Sequence, residues 1–202
     1  TMKITKTNAM RILDKNKIKY NIFEYEVKDG EIDGISVALK TGKNIEEVFK
    51  TLVTQGSSKN FYVFCIPVYN ELDLKKAANS VNEKSIEMIN PKDLMKITGY
   101  IRGGCSPIGM KKLFTTVFDE TINSLKKVTV SAGKIGHQIE ITPQDLIKEI
   151  KDKLKNANYK LNFIVENDSD FEFSERIIGD FNFSSYNHTP FFNGKNLSFF
   201  KK

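Results

Sequence analysis

Apolar and polar residues along this chain recur on two different periods, and the changes of period mark out its elements. Between about Thr7 and Lys15, Met10 and Leu13 fall on one side and Arg11 and Asp14 on the other, the spacing of a short amphipathic helix. Tyr20 to Glu26 switches to the alternation of a strand. Ser36 and Asn44 are placed to cap two short helices separated by Gly42, with Glu46 and Glu47 near the positive end of the second. Val48 to Thr54 and Phe61 to Pro67 flank Gly56-Ser57-Ser58-Lys59-Asn60 and read as a β-hairpin. Asp73 opens a helix through Ala78, and Asn90-Pro91 caps another that Gly99 ends. Phe114 to Phe118, Lys127 to Ser131 and Gln138 to Ile141 are short strands. Thr142-Pro143 opens a last helix, with Leu146, Ile147, Ile150 and Leu154 at helical spacing.

Several of these strands are joined too tightly for parallel crossovers. The expected fold is therefore α+β: a mixed, mostly antiparallel sheet closing toward a barrel, with helices around it, over residues 2–155. Past Asn156 the character changes. Tyr159, Leu161, Phe163 and Val165 alternate, Phe171 and Phe173 alternate, and Asn193-Gly194 is placed as a hairpin turn. Nine of the 15 phenylalanines lie in residues 156–202, which argues for a β-rich extension packed on the body or on a partner subunit.

Composition narrows the function classes. There is no run of about eighteen apolar residues and no basic-then-apolar leader pattern, so the expectation is a cytoplasmic protein without a membrane segment. The two cysteines, Cys65 and Cys105, and two histidines, His137 and His188, show no metal-ligand spacing, so neither a metal nor another cofactor is expected. The formal charge of +6 permits a polyanionic partner. Because 28 of the 31 basic residues are lysines, that balance also fits a biased base composition. Its placement says more: residues 156–202 carry a net −1, so a nucleic acid would sit on the body.

Three places have the makings of chemistry. Lys50 lies inside the strand pattern VFKTLV on the face of Val48 and Leu52, where an ammonium is costly unless it is paired or used on a ligand. A snorkelling lysine at a sheet edge is its plain alternative. GGCSPIG, Gly103 to Gly109, could hold backbone amides toward a carbonyl or phosphate oxygen, or serve only as a turn. SAGKIG, Ser131 to Gly136, is either a third such element or a hairpin connection. Cys105 and His137 also invite a Cys-His hydrolase reading, although no orienting third residue is evident and a cysteine between glycine and serine is ordinarily a small filler.

FKTLV with Lys50, LDLKKAA from Leu72, GYIRGGCSPIG from Gly99 and SAGKIGHQIEI from Ser131 stand in an order and spacing that resembles the YbaK/ProX deacylases over roughly residues 8–155. The resemblance implies a compact mixed α/β barrel-like fold and removal of wrongly attached amino acids from tRNA, cysteine on tRNA(Pro) foremost. It implies Lys50 as the essential lysine that positions the aminoacyl end. It also implies Gly103, heading a loop with Gly104 and closed by Pro107, as the source of amides for the ester oxygen. Tyr25, Thr51 and Ser131 match further pocket positions, and Gln138 stands where some members carry an aspartate. In the family a cysteinyl substrate can attack its own ester through its thiol and leave as a thiolactone, which requires positioning rather than a general base. The implied partner is the acceptor end of mischarged tRNA, with prolyl-tRNA synthetase and a second copy of the chain as further candidates. Lys111 and Lys112 are candidate phosphate contacts or a solvated pair. A non-catalytic tRNA- or protein-binding module of the same fold is the rival reading.

Overall fold

The computed structural model describes residues 5–28, 30, 32–154 and 161–163. Helix α1 (Asn8–Lys15) starts where Thr7 Oγ1 accepts from the Met10 amide, and it buries Ala9, Met10 and Leu13. Strand β1 (Asn21–Glu24) follows, then α2 (Gly34–Thr41). Here the structure corrects the expected cap: Asp33, not Ser36, begins α2. Asp33 Oδ1 accepts from the amides of Ile35 and Ser36 at 3.1 and 3.0 Å, and the Ser36 hydroxyl donates to Oδ2 at 2.6 Å. A carboxylate that reaches two free amides at the positive helix end outcompetes a hydroxyl three residues later. Asn44 does cap the next turn, a 3-10 segment at Ile45–Glu47.

The hairpin forms as expected, from β2 (Phe49–Gly56) and β3 (Phe61–Pro67), in register from Phe49 opposite Pro67 to Gln55 opposite Phe61. Asp73 caps α3 (Leu74–Ser80). Strand β4 (Ile86–Met88), which three residues of pattern did not reveal, then pairs antiparallel with β2. A 3-10 turn at Pro91–Asp93 leads into α4 (Leu94–Thr98), which Gly99 ends. Strands β5 (Thr115–Phe118), β6 (Val128–Lys134) and β7 (His137–Ile141) and helix α5 (Pro143–Leu154) complete the body. Of the Phe-rich segment, Leu161–Phe163 forms β8, parallel to β5. The other expectations for that segment, including the Asn193-Gly194 hairpin, lie outside the described residues.

Two sheets result, β1-β7-β6 and β4-β2-β3-β5-β8, mixed but mostly antiparallel as expected. Their inner faces meet in one core. Phe49, Val53, Val63 and Cys65 come from one sheet, Val130, Ala132 and Ile139 from the other, and α1 and α5 close the ends. The opposite face of the hairpin buries Tyr62, Phe64 and Ile66 against Ala77 and Ala78 of α3. None of the described helices is long and apolar enough to cross a membrane.

The hairpin turn is held by one carboxylate. Glu83 accepts from the Ser57 hydroxyl at 2.9 Å, the Ser58 amide at 3.1 Å, the Tyr62 hydroxyl at 2.7 Å and the Ser58 hydroxyl. It lies so close that a Cβ on Gly56 would come within 2.3 Å of its carboxyl carbon, which is why glycine ends β2. Burial pushes this acid up, but hydrogen bonds from Ser58, Tyr62 and Ser57 prevail and hold it at about 2, below its ordinary 4.5. Its contribution to stability is thus complete above pH 4.5 and fades as pH falls toward 2. Glu83→Gln should cost about 1–2 kcal/mol at pH 7 by urea denaturation. The gap between variant and wild type should narrow as pH is lowered from 6 to 3, and a constant gap would contradict the assignment.

Candidate active site

Lys50 enters the structure on the second residue of β2. Its neighbours Phe49, Thr51 and Val53 turn toward the shared core, so the pleat sends Lys50 to the other face, opposite buried Ile66 of β3. The side chain is half-buried, and that burial pushes its pKa below the ordinary lysine value, with the charge of Glu71 working in the other direction. An ammonium in this position is a cost to the folded protein unless an anion meets it. Thr51 belongs to the core side, its hydroxyl 4.0 Å from Cys65 Sγ, and therefore does not share a face with Lys50.

What brings Lys50 to the second sheet is a single junction. Val48 forms a parallel bridge with Thr129 of β6, and its carbonyl accepts from the Val68 amide at 2.9 Å. Counting two residues on along both parallel strands puts Lys50 and Ser131 on that same face. In the antiparallel ladder, Ser131 stands opposite Gln138, and Gln138 stands opposite Phe23 of β1. Lys50, Ser131 and Gln138 thus share one surface across the seam. Gln138 is buried, and its Oε1 has no hydrogen-bond partner among the described residues. Ser131 Oγ accepts from the Gly133 amide at 3.2 Å, where the β6–β7 ladder is interrupted between Ser131 and Lys134.

The glycine loop packs onto that interruption. The Gly104 amide donates to Ile101 O at 3.0 Å, closing a tight turn whose third residue, Gly103, has φ +81°, a conformation that favours glycine. A Cβ on Gly104 would lie 3.0 Å from the backbone nitrogen of Ile135, so the loop and the β6–β7 turn touch main chain to main chain. Ser106 and Pro107 are buried, Ser106 Oγ accepts from the Ile108 amide at 3.2 Å, and the Tyr100 hydroxyl donates to Ile108 O at 2.6 Å. The loop is fixed from beneath. Since the Gly104 amide is committed to Ile101, the amides of Gly103, Cys105 and Ser106 are the loop's donors without a described acceptor. Tyr25 joins the same turn from β1, its amide donating to Gly136 O at 3.0 Å. Tyr25, Gly103, Gly104, Ser131 and Gln138 therefore converge on one turn, with Lys50 across the seam and Pro107 at the loop's base. A separate cavity of about 250 Å³ behind Pro107 and Ile108 takes in none of the others.

The Cys-His alternative finds no support in this geometry. Burial pushes the Cys105 thiol up to about 12, despite a hydrogen bond to Thr98 that favours the thiolate. Both nitrogens of His137 have other neighbours, Nε2 at 3.2 Å from Glu24 Oε1 and Nδ1 at 3.4 Å from Ile135 O. No group of three or more potential metal ligands gathers among the described residues. Lys111 and Lys112 are exposed where the chain leaves the loop. Sequence reasoning missed Lys43, which lies over the Phe23 ring and pairs with buried Glu140. The period-two pattern puts Gln138 and Glu140 on one face of β7, but it carries no signal for a partner as distant in sequence as Lys43.

Residues 32–149 match the family model of the aminoacyl-tRNA editing domain. EbsC of Enterococcus faecalis, to which Cys-tRNA(Pro)/Cys-tRNA(Cys) deacylase activity is ascribed, is 45% identical over 142 residues, 70% of this chain and 87% of its own. Among solved structures, a candidate trans-editing enzyme for prolyl-tRNA synthetase superposes with TM-score 0.64 at 20% identity, covering 81% of this chain and 100% of that one. The hypothetical protein APE2540 superposes with TM-score 0.65 at 18% identity, over 71% of this chain and 93% of that one. At these identities the two structures speak for the fold, while the family model and the curated relative speak for descent. The chain belongs to the aminoacyl-tRNA editing domain family, the YbaK type.

Proposed function

We propose that the protein is a trans-editing deacylase that frees tRNA from a wrongly attached amino acid, cysteine on tRNA(Pro) foremost. The observation that carries this reading is the half-buried Lys50 on one face with Ser131 and Gln138, beside a rigid loop with uncommitted amides. In this reading Lys50 meets an anionic or polarised oxygen of the acceptor end. Amides of the Gly103–Ser106 stretch receive the ester carbonyl oxygen as it gains charge, and Tyr25 and Pro107 shape the pocket, while Thr51 lies behind it on the core side. Gln138 accepts from the α-ammonium of the amino acid.

With a cysteinyl substrate, the side-chain sulfur forms a bond to the ester carbon and the bond to the ribose oxygen breaks. The thiol proton ends on the ribose hydroxyl, and the product is a thiolactone. The protein then supplies geometry and charge rather than a base. We further assign the work to the cytoplasm, with prolyl-tRNA synthetase and a second copy of the chain as candidate associates.

Purified protein, given tRNA(Pro) charged with cysteine, alanine or proline, should release cysteine or alanine and spare proline. Lys50→Met should lower that release by at least about 100-fold while raising or preserving the melting temperature, because a buried charge has been removed. Release undiminished in Lys50→Met would refute the role of the lysine. No release from any charged tRNA, with tRNA still bound, would instead make this a non-catalytic binding module.

Substitution at Gly103 strains a positive φ and brings a Cβ within 2.9 Å of Ile32, and at Gly104 it presses on backbone. Gly103→Ala and Gly104→Ala should each cut turnover by about tenfold or more with tRNA affinity kept, since only the loop's amides move. A loss of affinity with turnover intact would point to a different role for the loop.

Lys111→Ala and Lys112→Ala should weaken tRNA binding whatever amino acid it carries. Each should flatten the dependence of log affinity on log salt by about 0.7 to 1. An unchanged slope would make them a solvated pair.

A further inference from the structure

The outer face of the β1-β7-β6 sheet holds polar groups that are buried. Gln138 and Glu140, two residues apart on β7, are 6% and 5% exposed, and Thr129 opposite Glu140 is fully buried. The turn after α2 swings Lys43 onto this surface, where its side chain is 12% exposed. Its ammonium does two things there. It pairs with the Glu140 carboxylate, and it sits 3.4 Å from the centroid of the Phe23 ring. Asn21 at 3.1 Å and Lys127 at 3.3 Å are the other partners of Glu140.

Phe23 is the cross-strand neighbour of Gln138, and Glu140 is the next residue along β7 on the same face. Lys43 therefore holds both the ring beside Gln138 and the carboxylate next to it. The Gln138 amide lies between Phe23 and Ser131, with a buried Oε1 that no described group satisfies. A buried acceptor without a partner is costly in the free protein, and a donor on a bound substrate removes that cost.

We infer that Lys43 is a positioning residue for amino-acid recognition: through Phe23 and Glu140 it fixes the Gln138 amide so that Oε1 faces the α-ammonium of the aminoacyl group. This rests on the editing function proposed above. Lys43 itself touches no substrate atom. It supplies the fixed orientation that a neutral amide needs, since an amide has no net charge to attract the ammonium from a distance.

The test is deacylation by the full chain, as wild type, Lys43→Met and Lys43→Arg, of Cys-tRNA(Pro) with a free α-amine and of the same tRNA with the amine acetylated. Methionine keeps an apolar stem over Phe23, and Asn21 and Lys127 remain with Glu140. Lys43→Gln serves the same comparison should methionine lower the melting temperature. The expected result is a KM about tenfold higher for the free-amine substrate in Lys43→Met, with kcat nearly unchanged, and little further loss on the acetylated one. Lys43→Arg should restore discrimination. Equal losses on both substrates, or a fall in kcat that tracks a fall in melting temperature, would mean a merely structural role and overturn the inference. A wild type inactive on every mischarged tRNA would overturn the editing function and this inference together, whereas an active wild type with equal losses would overturn this one alone.

Discussion

The arrangement of the site depends on how two sheets meet at Val48. Its carbonyl accepts from Val68 within the larger sheet while its backbone bridges in parallel to Thr129 of the smaller one. Fully buried Val48 and Thr129 leave this contact no room to slide. Beyond the bridge, β2 and β6 continue without further main-chain pairing. Lys50 and Ser131, two residues along, therefore share a face with no ladder between them. A slip of one residue in either strand would turn Lys50 into the core or Ser131 away from Gln138, so the arrangement of the candidate site is a matter of register before it is one of side chains.

That register forces polar groups into places where they are costly. Among the described residues, Lys50 is half-buried with a depressed pKa, Gln138 keeps an unsatisfied acceptor, and Thr129 Oγ1 is buried without a partner. The fold compensates elsewhere. A continuous apolar core runs from α1 through both sheets to α5, and Glu83 binds the far end of the hairpin through four hydrogen bonds. Glu149 Oε1, on α5, is a further buried atom without a hydrogen-bond partner among the described residues and lies away from the site, so the cost at Lys50 and Gln138 points to a substrate only together with their shared face.

Much of this could be read from the chain alone, because its signals are local. The hairpin of β2 and β3, the caps at Asn44, Asp73 and Asn90, and the helical spacing of Leu146, Ile147 and Ile150 each depend on residues a few positions apart. The four motif blocks likewise carried the candidate site. Failures came where the deciding contact is distant or brief. Strand β4 is three residues held by pairing to β2, too short for a period. Asp33 displaced Ser36 as a cap because the helix already begins at Gly34. Lys43 reaches Glu140 across 97 residues of sequence, a distance at which no pattern reveals a partner.

The groups that are absent from the chemistry shape it as much as those present. His137 is occupied by Glu24 and Ile135, and Cys105 is held as a neutral thiol by burial. The surface instead offers a cation at Lys50, main-chain donors around Gly103 and an oriented acceptor at Gln138. On the proposed reading such a set stabilises charge on an ester oxygen and fixes an amino acid by its ammonium, without creating a nucleophile. Rate then depends on what the substrate brings. An amino acid with a thiol within reach of its own carbonyl carries the nucleophile at high effective concentration, while one without it must wait for water. On the proposed reading, discrimination between a wrong and a right amino acid arises less from a pocket that excludes the right one than from a site that most accelerates residues able to attack themselves and leaves the others to water.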